Sequence, residues 1–280
     1  MRFSGLLTAA VAFAACARPE VVNDDGVCTA VRARPVGAAG FLPYAHSHND
    51  YEHDVPLHEA LDQRFYSVEA DVWFRSGKIV VSHDSYSQTG TLQELYLDPL
   101  QARVDANNGS VHGDGLQFVL WLDFKDGSYG LRDGVTKLLE GYPMFSVFTD
   151  DTEQTGPVLV VLTGNDASKK VFVNESDVRR AVRDSNDYDP DDGAADNRWR
   201  YYALDWNKWI AWNGEGDMPE AERRRLHCLV GDIHQKGKKV RFWASPSTPA
   251  YWDELIAAGV DLIGTDDLAG LSAHLEATQP

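Results

Sequence analysis

The residues of this 280-residue chain best suited to chemistry fall into a few short-range patterns. Glu69 and Asp71 stand two positions apart, Asp123 and Lys125 repeat that spacing, and His46, His48 and His83 each close an apolar run. On a regular strand, residues i and i+2 point to one face, so each spaced pair can reach a common point. Three carboxylates brought together repel one another unless they are protonated or share a cation. All-oxygen ligands select hard Mg2+ or Ca2+ over softer metals. Imidazoles exchange protons near neutral pH, and a lysine facing the acids can hold an anionic oxygen. Each group has a plainer reading as well: solvated strand ends for the acids, an ion pair with Asp123 or Glu69 for Lys125, a structural role for any one histidine. Their concentration in one part of each apolar run argues for a site.

The elements that must position them follow from hydropathy. From Gly40 onward, apolar runs at 41–46, 67–73, 79–83, 117–125, 158–165, 201–205, 239–245 and 261–265 are each followed by a polar cluster and a helix-compatible segment. That is the pattern of a βα array. Helices are expected over 56–64, 91–104, 219–236 and 248–258, the last closed by Gly259. The predicted fold is α/β, a TIM-type (β/α)8 barrel. The reactive residues sit at the C-terminal ends of the runs, with Asn165, Asp205, Ser245 and Asp266 joining those above. In such a barrel those ends form the rim that carries active sites. One connection is too short for a parallel crossover: only residues 74–78 separate the second run from the third. A β-hairpin about Ser76-Gly77 fits instead and brings His83 against Asp71 and Glu69. The eighth stave is then either the return arm 79–83 or a segment near 208–213, and 184–197 is expected to be a loop.

Composition bounds the rest. A hydrophobic content of 43% supports one core, and a formal charge of −17 opposes nucleic acid and electrostatic docking on anionic lipid. Residues 1–16 have the character of an export signal, with Arg2 ahead of an apolar stretch that ends in small residues before Cys16. Phe13-Ala14-Ala15-Cys16 resembles a bacterial lipobox, which makes Cys16 the lipidation candidate and the protein a cell-envelope lipoprotein or a secreted one. Membrane contact is then expected only through that anchor. Residues 17–38 are expected to be a tether and 39–280 the single domain. Cys28 and Cys228 are free to pair in an oxidising compartment or to remain thiols; no cysteine spacing suits structural zinc. Trp199, Trp206, Trp209 and Trp212 suit core packing better than a substrate cleft.

Three blocks are specific in combination: His46-Ser47-His48-Asn49-Asp50-Tyr51 with Pro56-Leu57, then Val68-Glu69-Ala70-Asp71-Val72-Trp73, then Val80-Val81-Ser82-His83-Asp84. Together they resemble the PI-PLC-like phosphodiesterase superfamily, to which glycerophosphodiester phosphodiesterases belong. The closest resemblance is to the branch that includes the fungal altered inheritance of mitochondria protein 6 proteins. It continues through Leu122-Asp123-Phe124-Lys125, 161–165, Arg241-Phe242-Trp243 and 259–267, covering about residues 43–269. The resemblance implies a metal-dependent phosphoric diester hydrolase, with Mg2+ or Ca2+ on Glu69, Asp71 and Asp123 and two histidines as acid and base. Its substrate would be a small-molecule or lipid-derived phosphodiester. His83 carries over as one of the histidines; the other is His46 or His48, because the relatives have a single histidine there. Lys125 would assist them. Asn49, Asp50, Asn165, Asp205 and Trp243 are candidates for further substrate or metal contacts. Relatives usually have Glu where Asp123 stands. Two other readings remain: an amidohydrolase-type metal enzyme with Lys125 as a bridging carbamate, and a surface lipoprotein that binds a phosphorylated ligand without turnover.

Overall fold

The computed structural model describes residues 42–278. In chain order the strands are β1 (Leu42–Ser47), β2 (Phe65–Arg75), β3 (Lys78–Val81), β4 (Gly90–Thr91), β5 (Phe118–Phe124), β6 (Val147–Phe148) and β7 (Glu153–Gln154). They continue as β8 (Val158–Gly164), β9 (Ala181–Ser185), β10 (Trp199–Asp205), β11 (Lys239–Trp243) and β12 (Ile263–Thr265). The helices are α1 (His58–Asp62), α2 (Asp98–Ala106), α3 (Tyr129–Glu140), α4 (Asp166–Asn174), α5 (Trp206–Trp209), α6 (Glu220–Gln235), α7 (Pro249–Ala258) and α8 (Leu268–Thr278).

The long strands are apolar on both faces because both are covered, as parallel sheets require. Val119, Trp121, Leu159, Val161, Val182, Tyr201, Ala203 and Leu262 fill the space inside the sheet. Leu120, Leu122, Val160 and Leu162 point the other way, into the larger core that includes the helices. Parallel pairing runs β11-β10-β9-β8-β5-β2-β1-β12. A parallel bridge between Arg241 and Leu262 joins the two ends, supported by the Asp261 and Leu262 amides donating to the Val240 carbonyl at 3.1 and 3.4 Å. Eight staves therefore close into the barrel that the sequence predicts. Helix starts are set locally: Ser128, Asn165 and Thr248 accept from the Leu131, Ser168 and Tyr251 amides. Gly259, at φ 78°, ends α7.

The predicted hairpin is present, antiparallel between β2 and β3, and its turn residues Ser76 and Gly77 take φ of 49° and 79°. Positive φ at both central residues is the geometry that follows the twist of paired strands. The register differs from expectation by one residue. Val72 faces Val81, so Asp71 lies opposite Ser82, whose amide donates to the Asp71 carbonyl at 3.1 Å.

Neither candidate for the eighth stave holds. The return arm pairs outside the ring, and 206–209 forms α5. The stave is β9, whose end overlaps the expected loop. Its sequence, Ala181-Val182-Arg183-Asp184-Ser185, offers two apolar residues. Asp184 is fully buried there because the equally buried Lys169 meets it at 2.6 Å. An ion pair inside the protein removes a strand from the hydropathy pattern. Trp206, Trp209 and Trp212 are buried as core residues.

The export segment 1–16 with Cys16, the 17–38 tether and Cys28 lie outside the described residues. Cys228 is disulfide-bonded. Among the described residues no helix is long and apolar enough to cross a membrane.

Candidate active site

Strand alternation aims one set of side chains into the barrel, and toward its C-terminal end that set turns polar. Ser67, Glu69 and Asp71 come from β2, Asp123 from β5, Thr163 from β8, Asp184 from β9, Arg241 from β11 and His46 from β1. Asp71 and Asp123 are direct partners in the β2–β5 register, and Asp123 pairs with Thr163 on β8. Above them opens a cleft of about 560 Å³ walled by His48, Asn49, Glu69, His83, Asp123, Lys125, Asn165, Asn186, Arg241 and Trp243, among others.

Lys125 bridges the two aspartates, its Nζ 2.9 Å from Oδ2 of each. The other oxygen of each, Oδ1, is buried without a hydrogen-bond partner. Burial, then the Asp123 charge, pushes the Asp71 carboxyl up to about 6. Burial also raises Asp123, against the pull of Lys125. Burial opposes the Lys125 ammonium, but Asp123 and Asp71 outweigh it and raise its pKa. Tyr51 donates its hydroxyl to Asp71 Oδ2 at 2.8 Å and lies 3.2 Å from His83 Nδ1, which is itself 3.4 Å from that oxygen. Tyr51 and Asp71 thus flank the Nδ1 edge of the His83 ring. The His83 side chain is 65% exposed.

The structure separates the two histidines after β1. His46 is wholly buried, with Nδ1 2.9 Å from Ser67 Oγ, Nε2 3.3 Å from Arg241 Nη1, and its ring packed edge-on to Trp121. Burial pulls its pKa down to about 4, so the ring is neutral. Nε2 then accepts from Arg241, and Nδ1–H donates to Ser67. Both nitrogens are engaged, and His46 lies below the cleft, not among the residues that wall it. His48 is on the wall, with Nδ1 2.9 Å from Asp266 Oδ1. Burial works against its charged form, but the hydrogen bond to Asp266 and the Glu69 charge outweigh it and raise the pKa.

Glu69 is held by Arg241 through two contacts, Nη2 to Oε1 at 2.5 Å and Nη1 to Oε2 at 3.2 Å. Burial opposes the Glu69 charge, yet Arg241 holds its pKa well below the usual carboxylate range. The guanidinium also lies 4.4 Å from the centre of the Trp121 ring. Among the described residues no group of three or more His, Cys, Asp or Glu side chains is placed to hold a metal ion. Asp71 and Asp123 are the better fit. Each keeps one buried carboxylate oxygen without a partner, and the two residues are neighbours in the β2–β5 register, a donor set that suits a hard cation whose remaining ligands are waters or substrate oxygens.

Two further candidates fall away from the cleft. Asp50 is wholly buried and accepts from the Leu57 amide at 2.5 Å and the Tyr96 hydroxyl at 2.9 Å, so it braces the loop after β1. Asp205 caps α5 by accepting from the Asn207 amide at 3.0 Å. Asn49, in the left-handed region at φ 45°, Asn165 and Trp243 do wall the cleft. The carbamate reading of Lys125 finds no support in its placement, with Nζ 2.9 Å from Oδ2 of both aspartates. Tyr51, Ser67 and Arg241 are additions. Spacing carried a signal for the last two: Ser67 precedes Glu69, and Arg241 precedes Trp243, by the two residues that put them on one strand face.

Residues 41–184, just over half of the 280-residue chain, match the AIM6-like phosphodiesterase domain. The chain belongs to this family. Altered inheritance of mitochondria protein 6 of Eremothecium gossypii is 28% identical over 82% of this chain and 69% of its own length. The protein of that name from Lachancea thermotolerans is 26% identical over 81% of this chain and 64% of its own. The Arthroderma benhamiae homolog is 25% identical over 82% and 83%. A glycerophosphodiester phosphodiesterase structure from Thermotoga maritima aligns with 83% of this chain and 97% of its own at 14% identity and a TM-score of 0.46. In this AIM6-like domain the matched segment carries His48, Glu69, Asp71, His83, Asp123 and Lys125. Arg241 and Trp243, from β11, and Asp266, just after β12, lie beyond it.

Proposed function

We propose that this chain hydrolyses phosphoric diesters with His48 and His83 as its proton-transfer pair. One observation carries the reading: His48, hydrogen-bonded at Nδ1 to Asp266, and His83, with Tyr51 and Asp71 beside its Nδ1, wall the same cleft as Lys125 and Asp123, with Asp71 buried just beneath it. Membership of a phosphodiesterase-like family supports it.

His83, with Asp71 and Tyr51 at its Nδ1 edge, presents Nε2 as the base. It takes the proton of a substrate hydroxyl next to the phosphodiester, and that oxygen attacks phosphorus. His48, its protonated form favoured by Asp266, gives a proton to the departing alcohol oxygen. The product of this step is a cyclic phosphate, which water opens with the two histidines in exchanged roles. Lys125 faces the charge that develops on the non-bridging oxygens. A divalent cation held by Asp71 and Asp123, Mg2+ or Ca2+, would supply Lewis-acid stabilisation of the same oxygens. The substrate class is a small or lipid-derived diester, in keeping with the −17 formal charge, which repels nucleic acid.

The test is a screen of glycerophosphodiesters and phospholipids with the full chain and added Mg2+ or Ca2+. His83→Ala and His48→Ala are each expected to lower the rate by about 10²–10⁴. A wild-type rate in His83→Ala would exclude the mechanism, and a flat response across the panel alongside ligand binding would exclude turnover.

A further inference from the structure

We infer that Glu69 is not a metal ligand in this chain: Arg241 keeps it, and the divalent cation is taken by Asp71 and Asp123 alone. This rests on the reading of the cleft given under Proposed function and narrows the three-acid ligand set that the family resemblance implies.

The first ground is occupancy. Both Glu69 oxygens are engaged by Arg241 nitrogens, at 2.5 and 3.2 Å. The guanidinium has nowhere else to go: it is 2% exposed, its Nη1 also meets His46 Nε2 at 3.3 Å, and it lies over Trp121. Drawing Glu69 onto a metal would strand a buried positive charge, one of the costliest changes a protein interior can undergo.

The second ground is the state of the other two acids. Asp71 is fully buried, yet its Oδ1 has no partner, and the same is true of Asp123 Oδ1. Buried carboxylate oxygens are rarely left so. The two residues face one another across adjacent strands. Mg2+ sites of this kind, with two carboxylates and the rest of the shell from water and phosphate oxygens, need no third acid.

The third ground is charge. Glu69 with Arg241 sums to zero. Asp71 and Asp123 with Lys125 sum to a single negative charge, and one divalent cation turns that into a single positive charge facing a phosphodiester anion. Arg241 is therefore a positioning residue. It fixes the Glu69 carboxylate and the His46 tautomer as a neutral floor beneath the reactive groups.

The experiment is calorimetric titration of Mn2+ into chelator-stripped full-length protein. It compares wild type, Asp123→Asn and the paired variant Glu69→Met with Arg241→Met. The paired change removes both charges together and keeps apolar volume, which buried ion pairs commonly tolerate. One Mn2+ is expected per wild-type chain, with affinity at least about tenfold weaker in Asp123→Asn and within about threefold of wild type in the paired variant. Loss of Mn2+ in the paired variant comparable to that in Asp123→Asn would overturn the inference, as would a wild type that takes up no Mn2+.

A second measurement on wild type covers a paired variant that fails to fold. The Arg241 guanidinium NMR signals, assigned with Arg241→Lys, are expected to stay in place when Mg2+ saturates the protein. Their shift to solvent-exchanging positions would overturn the inference. Mn2+ binding as expected without any diester cleavage would leave this assignment standing and remove the proposed activity. Cleavage that persists with no Mn2+ bound would do the reverse.

Discussion

His46, His48 and His83 occupy three electrostatic settings within one barrel mouth. His48 is charged more readily than a free imidazole because Asp266 accepts its Nδ1–H. A raised histidine pKa adds stability fully present below the ordinary 6.5 and lost as pH rises through the raised value. The same sign governs catalysis by a general acid, whose rate falls as pH climbs through that pKa. Asp266→Asn should therefore move the basic limb of the pH–rate profile to lower pH and leave the acidic limb in place; an unmoved basic limb would take the acid role from His48. Lys125 permits a second separation. Lys125→Met removes the cation facing the phosphoryl oxygens, so kcat should fall by about 10²–10³. Mn2+ affinity should hold or rise, because Asp71 and Asp123 lose their internal counter-ion. Weaker Mn2+ binding in that variant would mean that Lys125 orders the aspartates instead.

Two turns show how elements hold these side chains. Gly77 and Gly164 both have φ near 78°, in the region that favours glycine. A Cβ on Gly77 would meet nothing within 4 Å, whereas one on Gly164 would lie 1.9 Å from Asp123 Oδ1 and 2.7 Å from the Phe124 carbonyl. Gly77→Ala therefore pays only for backbone conformation, about 1–2 kcal/mol. Its thermal midpoint should drop by several degrees with Mn2+ affinity unchanged. Gly164→Ala carries the same backbone cost and also displaces a proposed cation ligand, so Mn2+ affinity should fall with the midpoint. Equal Mn2+ affinities in the two variants would show that Asp123 Oδ1 is not where the cation sits. The β2–β3 hairpin was legible in sequence because a five-residue connection permits nothing else, and its Ser-Gly turn suits positive φ. The β9 stave was not, because Asp184 relies on Lys169 from a neighbouring helix for a burial that hydropathy cannot register.

At the scale of the whole molecule, the barrel buries a neutral histidine. The His46 pKa of about 4 lies below the ordinary 6.5, so the unfolded chain takes up a proton that the folded one resists. The resulting stability is complete above pH 6.5 and lost as pH falls through about 4. Its full size is on the order of 3 kcal/mol. Chemical denaturation at pH 7 and pH 5 should show a loss that His46→Gln reduces. An identical pH slope in the two proteins would mean that His46 is not buried neutral.

The sequence by itself determined the periodicities: which residues alternate inward, where a crossover is too short, and that Glu69 with Asp71 and Asp123 with Lys125 each share a face. Those are consequences of bond geometry within a strand, and they survive any arrangement of the rest. Tertiary structure alone decided partnership. Arg241 stands 172 positions from Glu69, and Asp266 stands 218 from His48. Closure of the ring sets those pairs at contact distance, and in a buried site a charge takes its role from the groups across the barrel. The same parity that sends both His46 and His48 inward cannot say how deep each lies. Depth buried one ring wholly and left the other at the cleft.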